Sequence, residues 1–72
     1  ELAFAKGARL TSEAHSPGCR EHLTLLEGRL SVTSGEATDS LSPGDVARYP
    51  ADRPHEIAAT TTARAILIVQ DS

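Results

Sequence analysis

The chain has 72 residues, a formal net charge of −3 and one cysteine. That length holds one small domain with a thin core, and a lone thiol excludes both an internal disulfide and a zinc site built on thiolates. The seven lysines and arginines are scattered rather than clustered, which argues against a phosphate-binding surface, and no apolar run has the length of a membrane span or the pattern of a signal peptide.

Glycines and prolines at 7, 17–18, 28, 35, 43–44, 50 and 54 cut the chain into short segments. These are of strand length and too short for ordinary helices. "REHLTLLEG" (20–28) reads as a strand closed by a turn at Gly28. "RLSVTSGEATDSL" (29–41) reads as a hairpin, Leu30 and Val32 alternating with polar residues before a turn near Gly35. "LSPGDVARYP" (41–50) is a tight turn followed by a short strand, and "HEIAAT" (55–60) is another. "ARAILIVQDS" (63–72) is a continuous apolar run, expected of a strand buried on both faces. The sequence therefore predicts an all-β sandwich or barrel, one domain over residues 1–72. With no methionine and a start at Glu1, the chain is read as a piece of a longer protein.

Strand periodicity sets which side chains face inward. Glu21, Leu23 and Leu25 share the more apolar face of their strand, with His22 on the other; His55 and Ile57 share the more apolar face of theirs. A carboxylate and an imidazole aimed into a small core are costly unless paired, hydrogen-bonded, metal-bound or hydrated. Glu21 and His55 are therefore the first candidate site residues. Cys19 lies beside Arg20, whose charge could lower the thiol pKa, but no base is identifiable next to it and it reads as an inert loop residue. No nucleophile constellation appears among the serines, and no catalytic residue is assigned.

The spacing of Glu21 and Gly28, followed by Gly44, Pro50 and His55, resembles the two motifs of the cupin superfamily. The resemblance implies a small barrel of the double-stranded β-helix type. It makes His15 the first histidine of motif one, Glu21 its glutamate and Gly28 its glycine; Gly44, Pro50 and His55 fit motif two. Three departures stand out. Pro17 occupies the place of the second histidine, Asp52 that of a glycine, and Ala59 that of an asparagine. His15, Glu21 and His55 could still hold zinc, iron or manganese, although the missing histidine makes a metal-free interior the expectation.

"HSPGCREHLTLLEGRLSV" (15–32) and "LSPGDVARYPADRPHEI" (41–57) further resemble the C-terminal cupin half of bacterial helix-turn-helix regulators of the XRE type. That resemblance implies a cytoplasmic effector-sensing domain, homodimeric, with DNA bound only through a domain outside this chain. A small-molecule effector would enter the barrel between walls from Leu23, Leu25, Tyr49 and Ile57, with Val46 or Ala47, and be anchored by His15, Glu21 and His55. Glu21 would favour a cationic or hydrogen-bond-donating effector. Leu26, and Leu30 with Val32, would mark the dimer interface if exposed, or pack on the opposite sheet if not. The alternative is a small metal-dependent cupin enzyme of dioxygenase, isomerase or decarboxylase type.

Overall fold

In the computed structural model, which describes residues 1–71, eight strands form two sheets, and no helix occurs among the described residues. The strands are β1 (Leu2–Phe4), β2 (Arg9–Ser12), β3 (Arg20–Glu27), β4 (Leu30–Ser34), β5 (Ala37–Leu41), β6 (Val46–Pro50), β7 (His55–Ala59) and β8 (Ala63–Gln70). One sheet has the order β1-β8-β3-β6 and the other β2-β7-β4-β5. All pairings are antiparallel. β3 to β8 fall where the turn signals place strands. β1 and β2 lie in the N-terminal stretch, to which the sequence analysis assigns no strand.

The two inner faces supply the core. Leu23, Leu25 and Ala65 come from one sheet; Leu30, Val32, Ile57 and Ala59 come from the other. Leu30 and Val32 thus pack against the opposite sheet, while Leu26 stays exposed. Of the two residues left ambiguous, Ala47 points in and Val46 points out.

β8 departs from expectation. Its burial alternates over its first half, with Ala63 and Ala65 buried and Arg64 and Ile66 exposed, and Ile68 is exposed beyond it. A two-layer architecture covers only one face of each sheet, so an apolar run here marks one buried face and one bare one. Sequence hydrophobicity could not separate those cases.

Candidate functional site

Four polar side chains converge at one end of the interior. Glu21, turned inward by the pleat of β3, lies opposite Tyr49 on β6 and Val69 on β8. The Tyr49 hydroxyl donates to Glu21 Oε1 at 2.6 Å. From the other sheet, His55 opens β7 opposite Ser12 and Ser34 and sets its Nε2 3.1 Å from Glu21 Oε2. Glu21 is 3% exposed and His55 4%, so the charge and its neighbours share a dry setting. Leu23 and Ile57, the next inward residues on the same strands, continue the cluster into the core with Leu25 beyond.

His15 completes the group from the loop between β2 and β3, with Nε2 3.2 Å from the same Glu21 oxygen and a half-exposed ring. Its position is set by backbone bonds that lash the loop to residues 51–52. The His15 amide donates to the Ala51 carbonyl at 2.8 Å, and the Ala51 amide returns a bond to the Cys19 carbonyl at 2.8 Å. The Gly18 amide donates to Asp52 Oδ2 at 3.1 Å. That amide, against the cost of desolvation and aided by Arg53, holds the Asp52 carboxyl below its ordinary pKa. Asp52, a departure from the family pattern, therefore helps to hold the loop that carries His15.

The proton pattern of His55 follows from its second nitrogen. Nδ1 lies 2.8 Å from the Arg53 carbonyl oxygen, which can only accept, so Nδ1 carries a proton. In the neutral ring Nε2 then presents a lone pair to a carboxylate oxygen, and two lone pairs at 3.1 Å repel. The contact becomes attractive when a proton or another cation lies between them. A metal-ligating histidine needs the same arrangement, with one nitrogen donating to a carbonyl and the other free. His15, Glu21 and His55 each offer a ligand atom within 4.8 Å of the others, and two imidazoles with one carboxylate suit a divalent transition metal. The donor set fits.

Tyr49 is a fixed donor. Burial first, then its bond to Glu21 and that residue's negative charge, push its pKa far above the ordinary value. The Cys19 thiol is also raised, chiefly by burial and then by Asp71, Glu21 and Asp52. Arg20 is exposed on the sheet while the thiol is enclosed, and the raised thiol agrees with the reading of Cys19 as inert rather than activated by Arg20.

A depression of about 200 Å³ opens between the β4–β5 hairpin and β6, reaching Val32, Ser34 and Tyr49, with Arg48 and Arg53 at its rim. It thus approaches the cluster through Tyr49. The backbone groups of Ala51 and Arg53 that orient both histidines were missed by sequence reasoning, since a carbonyl carries no residue-type signal.

A family model described as a cupin domain matches residues 1–70. No curated protein gives a significant match. Among solved structures, the chain is similar to an HTH_3 family transcriptional regulator from Vibrio cholerae, with 30% identity and a TM-score of 0.90 over 97% of this chain and 40% of that one. It is also similar to the Cupin_2 domain of an XRE family transcriptional regulator from Enterobacter cloacae, with 22% identity and a TM-score of 0.87 over 97% and 76% of the two chains. A cupin superfamily protein from Desulfitobacterium hafniense gives 25% identity and a TM-score of 0.75 over 94% and 60%. The chain thus spans two-fifths of the Vibrio regulator's length. Matched along nearly its whole length by that family model, the chain belongs to the cupin domain family.

Proposed function

We propose that the chain is the effector-sensing and dimerisation domain of a cytoplasmic helix-turn-helix transcriptional regulator, taking a small molecule at the Glu21 cluster. The carrying observation is a buried carboxylate whose Oε2 faces two imidazole nitrogens, one ring half-exposed. The similarity to two regulator domains supports the regulatory context. DNA would be bound by a part of the protein outside this chain.

An effector carrying a positive charge or N–H donors would sit against Glu21 Oε2, where a cation turns lone-pair repulsion into attraction. Tyr49 keeps the other carboxylate oxygen occupied and the group oriented. Where a divalent transition metal is bound, His15, Glu21 and His55 are the residues to hold it, and it would supply a Lewis-acid centre for a chelating effector.

Glu21→Gln provides the test. The amide can still accept from Tyr49 and donate to His55 Nε2, so the network survives while the negative charge is lost. In a thermal-shift screen of small amines, guanidines and divalent metal salts, a true ligand at 100 times its dissociation constant raises the wild-type melting temperature by roughly 10–20 °C. The same ligand should leave Glu21→Gln unmoved. Ligands that shift both proteins equally would refute the site, and turnover by a metal-loaded protein would move the reading to the enzyme.

A further inference from the structure

Along one side of the domain the two sheets meet without pairing: β5 bonds only to β4, and β6 only to β3. The register turns Asp39 to the same side as Val32, and Ala37 to the same side as Ser34. That side is the inner face, since Val32 and Ser34 are buried. Ala37 and Asp39 are nevertheless exposed, because no described strand covers this edge. The result is the depression of about 200 Å³, with the buried Val32 and Tyr49 at its base and Asp39, Arg48 and Arg53 around it.

These charges are not spent on one another. Neither the Arg48 guanidinium nor the Asp39 carboxylate has a hydrogen-bond or ion-pair partner among the described residues, although both line the same cavity. Arg53 gives its Nε to Asp52 Oδ1 at 3.3 Å and leaves its two terminal nitrogens unengaged. Its stem lies against the β4–β5 turn, where a Cβ built on Gly35 would meet Arg53 Cδ at 3.4 Å. Both hydroxyls at the cavity are committed elsewhere. Ser34 Oγ donates to the Pro50 carbonyl at 2.7 Å, and the Tyr49 hydroxyl donates to Glu21 Oε1 at 2.6 Å. What remains for recognition is an apolar base, one carboxylate and the donors of two guanidiniums.

We infer that this cavity binds an apolar α-amino acid as its zwitterion. The ammonium group would face Asp39, the carboxylate would face Arg48 and the terminal nitrogens of Arg53, and the side chain would lie on Val32 and the Tyr49 ring. Arginine forks suit a carboxylate, and an apolar wall with a few convergent polar groups is the usual make-up of a small-molecule site. The charges of Arg48, Arg53, Asp39 and Asp52 sum to zero, which favours a ligand that is neutral overall but carries both signs. A simple anion would leave Asp39 opposed to it, and a simple amine would meet two guanidiniums. Exposed pairs each contribute little, so both ends of the ligand are needed. The site lies apart from the effector position at Glu21 Oε2 and goes beyond the function proposed above.

Titration of the isotope-labelled chain with valine, followed by amide NMR, tests it, with isobutylamine and isovalerate as the two halves of the probe. Valine should move the amides of Val32, Ala37 and Tyr49, and each half should bind at least about tenfold more weakly. Arg48→Gln and Asp39→Asn, both at exposed positions and checked for folding by circular dichroism, should each weaken valine binding about tenfold. A spectrum unmoved by valine at tens of millimolar overturns the inference, as do halves that bind as tightly as valine or a site indifferent to both substitutions. A response confined to the amides of Glu21, Leu23 and His55 also overturns it, by placing the ligand in the effector site, and leaves that reading standing. Failure of the effector site is read separately, in the thermal shifts of Glu21→Gln.

Discussion

Tyr49 is the only tyrosine in the chain, so absorbance near 295 nm reports one phenol. An exposed tyrosine ionises near pH 10. Here burial, and then the carboxylate that accepts the phenol proton, oppose ionisation. The native protein should show no phenolate signal where a free tyrosine is half ionised, and the signal should rise only with unfolding. The linkage has a definite sign. The folded state holds this proton more tightly than the unfolded chain, so the contribution is complete below about pH 10 and is lost as pH climbs above it. Urea melts from pH 8 to 11 should record declining stability, and Tyr49→Phe should flatten that part of the decline. A native phenol titrating near 10 would show that the Tyr49–Glu21 bond does not persist in solution. The inward facing of Glu21 and His55 was legible because period two leaves only two choices per strand. Their mutual contact was not, because it depends on how two sheets distant in sequence are laid face to face.

Among the elements, the β3–β4 corner is the most constrained. Gly28 has a φ of +84°, and a Cβ there would lie 2.1 Å from the Thr62 carbonyl oxygen. The neighbouring bonds fix that approach. The Arg29 amide donates to Thr61 Oγ1 at 3.0 Å, and the Thr60 amide donates to the Arg29 carbonyl at 3.3 Å. Thr61 Oγ1 at 2.8 Å is a side-chain atom, but the Thr62 carbonyl oxygen and the Ala63 Cα at 2.9 Å are backbone, so the backbone itself must give way. Gly28→Ala should cost at least about 2–3 kcal/mol from left-handed strain and steric overlap, measured as a fall in the urea midpoint. Gly44 gives the comparison within the same protein. Its φ is +93° but nothing lies within 4 Å of its built Cβ, so Gly44→Ala should show the strain alone and a smaller loss. Equal losses at the two positions would refute the close approach at Gly28. Both glycines were readable as turn markers, which is why β3 to β8 were legible in outline. β1 was not, because three residues are too few to show a period, and β2 exposes three of its four residues.

For the molecule as a whole, closure depends on residues far apart in sequence. Only β4 and β5 pair as neighbours along the chain; β1 pairs with β8, placing Leu2 opposite Ala65. Each such pairing incurs loop-closure entropy before its contacts form, so folding should take milliseconds to seconds. β1 is a three-residue edge strand, and Phe4, partly buried, packs from it against the core. A chain of this length is held by a total of only about 4–11 kcal/mol. Truncating Phe4 to alanine should remove about 2 kcal/mol of that, a large share for one partly buried side chain. The kinetic partition is the sharper expectation. An edge strand that can dock only on an already formed β8 should join after the transition state, so Phe4→Ala should speed unfolding and leave refolding unchanged. Chevron plots at concentrations below any self-association would read both limbs. Slower refolding with an unchanged unfolding rate would instead put the two ends of the chain together in the folding nucleus, and the strand missed in the sequence would then be among the first to form.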